Sequence, residues 1–167
     1  MKKLFFVTLS ALMVLSTFFA GTVSTAAAKG PKILKFDTMV GVPAALTGAQ
    51  SQVPLRGING GGIPWTITDA SGELRANGHL EISVQGLVLA TTGSNPSATF
   101  RGLVSCVTSS GTFANILTDP FPATTGPASA GGGNAEIVAD IALPQPCIAP
   151  IIFVTSGGGN WFAATGL

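Results

Sequence analysis

The chain has 167 residues, of which 9% are charged, and its formal net charge is +1. Without an excess of Lys and Arg it lacks the electrostatic footprint of a nucleic-acid binder, and long-range steering of a charged substrate has no support. The length suits one domain, not two independent cores.

In chain order, Lys2 and Lys3 precede an apolar run over residues 4–20, and Ala26-Ala27-Ala28 supplies the small residues that a signal peptidase requires. Residues 1–28 therefore read as a signal peptide, and residues 29–167 as a single exported β-sandwich domain; retention of the apolar run as an anchor is the alternative. Six basic side chains then face seven acidic ones, a balance of −1. Beyond Ala28 no apolar run approaches the roughly 20 residues of a spanning helix, so no membrane span is expected after cleavage. No Cys follows the apolar run for lipid attachment, and the C-terminus has no anchor-exchange tail.

The mature chain reads as strands and turns. Residues 35–42 form a first strand ended by Pro43, and residues 44–56, which lack a period, wrap an edge. Asn59-Gly60-Gly61-Gly62 is a turn, and residues 63–68 resume an extended course. Asn77-Gly78 lies between two strand-like runs and signals a type I′ hairpin. Leu80, Ile82 and Val84 then alternate with Glu81, Ser83 and Gln85, one face buried and one wet, until Gly86 breaks the pattern.

Residues 100–107 and 112–117 read as two further strands, the second stopped by Asp119-Pro120-Phe121-Pro122. Residues 123–134 read as a low-complexity loop. Ala135, Ile137, Ala139 and Ile141 then alternate with Glu136, Val138 and Asp140, and a last hairpin joins residues 148–154 to 161–164 around Ser156-Gly157-Gly158-Gly159-Asn160. Seven or eight short strands with no helical period predict an all-β, antiparallel β-sandwich, with a small β-barrel as the alternative. An outer-membrane barrel would need aromatic girdles, and this chain has no Tyr and two Trp.

Cys106 and Cys147 are the two cysteines, and both lie in apolar, strand-like runs. Export places them where a disulfide persists, so one intramolecular bridge is expected. Two segments carry a resemblance. Residues 72–87, Gly72-Glu73-Leu74-Arg75-Ala76-Asn77-Gly78-His79 and onward, and residues 143–166, with Cys147 and the closing Trp161-Phe162-Ala163-Ala164-Thr165-Gly166, together resemble short secreted bacterial proteins of uncharacterised function. The first is also similar to the strand pair of chordin-type (CHRD) domains, although the His-bearing stretch of that domain has no counterpart here. The resemblance implies export and β structure, and carries over no activity and no site residue.

The chemistry-bearing residues are sparse. His79 is the single histidine and follows a turn, where a solvated position is the simplest account. A Ser–His–Asp triad would have to use it, yet no Gly-x-Ser-x-Gly elbow occurs. Asp69 and Glu73 flank Ala70-Ser71-Gly72, read as a turn, and as neighbours would offer the carboxylate pair of a glycosidase or a weak calcium site. Glu81, Glu136 and Asp140 fall on wet faces. No Gly-Lys-Ser or Gly-Lys-Thr accompanies the glycine triplets, so they read as β connections. Trp65 and Trp161 each follow a glycine loop and are the candidate ligand-stacking residues, with core packing as the competing account.

No catalytic residue, metal site or cofactor is expected. The reading is a secreted, non-catalytic binding or envelope/matrix-associated β domain whose partner is a polysaccharide or another envelope component. The rivals are a small carboxylate-based hydrolase and a self-assembling surface protein whose sheet edges promote self-association.

Overall fold

The computed structural model describes residues 30–47 and 54–166. The expected signal peptide, residues 1–28, lies outside them. In chain order the strands are β1 (Lys32–Phe36), β2 (Val40–Gly41), β3 (Trp65–Thr66), β4 (Asp69–Arg75), β5 (His79–Gln85), β6 (Val88–Leu89), β7 (Ser94–Asn95), β8 (Thr99–Val107), β9 (Phe113–Leu117), β10 (Phe121–Pro122), β11 (Gly126–Pro127), β12 (Ala135–Asp140), β13 (Ile148–Thr155) and β14 (Trp161–Ala164). Eight of them have four residues or more and carry the sandwich; the others are two-residue ladders at its margins.

A four-stranded sheet runs β1-β4-β5-β12, antiparallel throughout. A second sheet runs β10-β8-β13-β14-β2, and β9 lies along the same side of β8 as β10. The period-two pattern decides which side chains meet between them. Leu74, Leu80, Ile82, Val84 and Ile137 point inward from the first sheet, and Phe100, Val104, Ile152 and Val154 from the second; all are buried. Gly102 faces the other sheet. A Cβ there would sit 3.1 Å from Leu80 Cδ2 and 3.2 Å from Ile82 Cδ1, so the missing side chain lets the sheets meet.

The second sheet is covered on its far side as well. Residues 55–61 cross it as a strap, with Trp161 N–H donating to Asn59 O (2.9 Å) and Gly61 N–H to Trp161 O (2.8 Å). Arg56 Nη1 donates to Ser105 O (3.2 Å), and Asn115 Nδ2 to Arg56 O (3.1 Å). Phe153 and Trp161 are buried, their ring centroids 6.1 Å apart on the side bonded to the strap.

The cysteines join as expected. Cys106, on the inner face of β8, is bonded to Cys147, just before β13, and closes a 41-residue separation. That bridge ties the crossover between the sheets to the middle of the second one.

Three sequence expectations differ from the fold. Residues 35–42 are not one strand: β1 and β2 belong to different sheets, and the chain crosses between them at buried Met39. Ala70-Ser71-Gly72 is no turn, because β4 runs unbroken through it, with Gly72 opposite Ile82. Gly72 suits that strand because a Cβ would lie 2.6 Å from Phe36 Cζ; its absence makes room for the ring. Residues 123–134 are not featureless. They hold β11 and a 3-10 turn at Ala128–Ala130, closed by Thr124 N–H donating to Asn134 O (2.9 Å).

Candidate functional site

The outer face of the four-stranded sheet has no strap across it among the described residues, and most of the acidic side chains gather there. Odd-numbered residues of β4 and β5 and even-numbered residues of β12 point outward. The register sets Glu73 opposite Glu81, Ser71 opposite Ser83, Ser83 opposite Glu136, Glu81 opposite Val138, and His79 opposite Asp140. Directly opposed carboxylates such as Glu73 and Glu81 repel each other across a Cβ separation of about 5 Å. The face resolves this by turning each acid to a different cation.

Glu73 is bonded by both Lys32 and Arg75. Its carboxyl is held below the ordinary carboxylate range, chiefly by the Lys32 hydrogen bond, with Arg75 adding to it and partial burial opposing it. Glu81 turns the other way, to His79. The imidazole lies between two carboxylates, Nδ1 at 2.7 Å from Asp140 Oδ1 and Nε2 at 2.8 Å from Glu81 Oε1. With an acceptor at each nitrogen, the doubly protonated ring is the form that satisfies both contacts. The His79 pKa is raised accordingly, first by Asp140 and then by Glu81.

Backbone geometry builds this clasp. Gly78 has φ of +90°, a conformation that side-chain-bearing residues rarely adopt, and its N–H donates to Arg75 O (2.9 Å). The hairpin therefore closes through residues 76–78 and not through the expected type I′ turn, which would put Asn77 at positive φ as well. Asn77 Oδ1 accepts the His79 N–H (3.2 Å), fixing the first residue of β5. Ile141 N–H donates to Gly78 O (3.0 Å), which holds the end of β12, and so Asp140, beside the ring.

This arrangement limits the chemistry. His79 with Asp140 has the form of a base and its orienting acid, but Nε2 meets a second carboxylate rather than a nucleophilic hydroxyl. Glu73 is stabilised as an anion, opposite to what a general acid needs. Asp69 and Glu73 are four residues apart on one extended strand, so about 13 Å separates their Cα atoms. The glycosidase pair expected at a turn is therefore not formed. Among the described residues, no group of three or more His, Cys, Asp and Glu side chains is placed to hold a metal ion.

The two tryptophans are elsewhere. Trp65 is 5% exposed and stacks on Phe162 at 3.9 Å between ring centroids; Trp161 is 1% exposed beneath the strap. Neither ring offers a free face for ligand stacking. Sequence reasoning placed Glu81, Glu136 and Asp140 on wet faces without joining them to His79; the link lies in the β5–β12 register, which alternation alone does not specify.

Two grooves border the face. One, of about 560 Å³, lies among Gln85, Pro122, Thr124, Asn134 and Glu136. The other, about 410 Å³, opens where β9 and β12 part, between Leu117, Asp119, Phe121, Val138 and Asp140. No helix among the described residues is long and apolar enough to cross a membrane. Comparison with family models, curated proteins and solved structures returns no match.

Proposed function

We propose that the chain is an exported, non-catalytic binding domain associated with the cell envelope or an extracellular matrix. In this reading its recognition surface is the outer face of the four-stranded sheet. The supporting observation is the contrast between that bare face and the buried tryptophans. Ser71, Gln85 and Glu136, and the partly exposed Ser83, offer hydroxyl, amide and carboxylate groups on one face of the sheet. The internal disulfide suits an oxidising compartment.

A surface of this kind recognises polar ligands through hydrogen bonds, so the ligand class is a hydroxyl-rich polysaccharide or a similarly polar envelope component. Hydrolysis has less support, because His79 and Glu73 are both committed to charge partners.

The test is retention of residues 29–167 on isolated envelope and on a panel of insoluble polysaccharides. Saturable retention that Ser83→Arg weakens at least tenfold, with an unchanged melting curve, supports the reading. Retention indifferent to Ser83→Arg, or no retention on any matrix, overturns it.

A further inference from the structure

The four-stranded sheet has two lateral edges, and they carry opposite charge. At one edge, β1 pairs with β4, and among the described residues no strand lies along its other side. At the other, β12 pairs with β5, and among the described residues its free side is bridged once, by Ala123 to Ala135 at its start, where β10 also packs against it. Because Ile141 N–H bonds toward β5, strand alternation directs the amide and carbonyl groups of Val138 and Asp140 away from the sheet. A free β edge is a template for another strand.

The side chains say which strand fits. β12 presents Glu136, Val138 and Asp140, with Val138 54% exposed, and Asp119 lies across the groove beside it. β1 presents Lys32, Ile33 and Lys35, with Ile33 37% exposed and Asp37 just beyond the strand. Lys32 and Asp140 each have a partner within the chain, yet their side chains remain 46% and 82% exposed. Pairing β12 with β12 would set acids against acids, and β1 with β1 would set lysines against lysines. Both arrangements are self-repelling. Pairing β12 with β1 sets acids against lysines and brings Val138 to the strand that bears Ile33.

The topology permits that union without inversion. Three antiparallel steps separate β1 from β12, so these strands run in opposite directions. A second copy displaced sideways along the sheet therefore offers its β1 antiparallel to the first copy's β12. The second sheet exposes apolar side chains on the same two flanks, Phe113 and Leu117 on β9 beside the β12 edge and Val40 on β2 beside the β1 edge.

We propose that the partner of this sheet is a second copy of the chain, joined head to tail through β12 of one molecule and β1 of the next. Such a contact is heterologous and leaves one free edge at each end, so it grows into an open filament with a continuous sheet. It does not rest on the polysaccharide-binding reading, which uses the face of the sheet rather than its edges.

Two variants test it. Val138→Lys blocks the β12 edge and Lys35→Glu the β1 edge, each leaving the other edge intact. Sedimentation velocity on residues 29–167 should show wild-type mass rising with concentration beyond a dimer and falling in high salt. Each variant alone, with its fold checked by circular dichroism and melting, should remain monomeric. Their equimolar mixture should give a heterodimer and stop there, because one good edge of each remains. A wild-type chain that stays monomeric at its highest soluble concentration overturns the proposal. So does association abolished by Val138→Lys but untouched by Lys35→Glu, which would mark a two-fold β12 dimer. Ser83→Arg should leave assembly unchanged, so failure of envelope binding and failure of assembly are separable.

Discussion

The two sheets treat their outer faces differently. The second sheet hides its far side beneath the strap of residues 55–61, so Phe153, Trp161 and Ser105 are buried although they point away from the inter-sheet core. Among the described residues, the four-stranded sheet has no strap across its far side and fills it with ion pairs and hydroxyls. One face is built from area removed from water, which is insensitive to pH. The other is built from charge pairs, which are sensitive to it. Stability should therefore respond to mutation on the strapped side and to pH on the bare side.

The largest break in that contrast should come from Trp161→Ala. Removing a 1%-exposed indole held between Phe153 and the strap is expected to cost about 3–5 kcal/mol, read as a lower urea midpoint. Replacing Cys106 and Cys147 together by Ala should cost about 4 kcal/mol in the chain-entropy picture for the 41-residue separation. A loss below about 1 kcal/mol would mean that the unfolded chain is already restricted there. On the bare side, Gly78→Ala should cost on the order of 1–3 kcal/mol, since φ is +90° and a Cβ would stand 1.8 Å from Ile141 O.

The smallest effects sharpen the comparison most, because they depend on pH. The folded pKa of His79 lies above its ordinary value of 6.5. Its clasp therefore stabilises fully below about pH 6.5, and that contribution disappears as pH rises through the folded value. His79→Gln should flatten stability across this window while leaving the alkaline limb nearly unchanged. Glu73 has the opposite sign: its pKa is lowered from 4.5, so its contribution is complete above that value and lost as pH falls through the folded one. Glu73→Gln should remove that acidic limb. Equal pH profiles for wild type and both variants would show that the charged face does not contribute to folding stability.

Much of this contrast was legible in the sequence, and the reasons are local. Asn77-Gly78 announced the β4–β5 hairpin because one tight turn fixes both direction and register. Alternation in residues 80–85 and 135–141 marked the buried and wet sides of β5 and β12. The disulfide was expected from two cysteines in a chain whose first 28 residues read as an export signal. What escaped was non-local. Ala70-Ser71-Gly72 has turn-like composition, yet it is extended because it pairs with residues 82–84 of β5, and Gly72 leaves room there for the Phe36 ring. The tryptophans follow glycine loops in sequence, but Phe162 and the strap cover them in space. His79 stands beside Asp140 by virtue of a pairing across 61 residues, for which nothing near either residue is a signal.

The Cys106–Cys147 bridge has one more consequence, for proteolysis. It encloses β9 to β12 and the crossover that follows, so a cut anywhere between residues 107 and 146 severs the backbone without releasing a fragment. The C-terminal piece supplies β13 and β14, the middle of the second sheet, and would remain both bonded to β8 and hydrogen-bonded within it. Nicked molecules should migrate as one species until reduced and as two afterwards. A protease that finds the turn at Ser109–Gly111 would leave an assembled domain, and the chain would tolerate damage that separates an unbridged sandwich into parts.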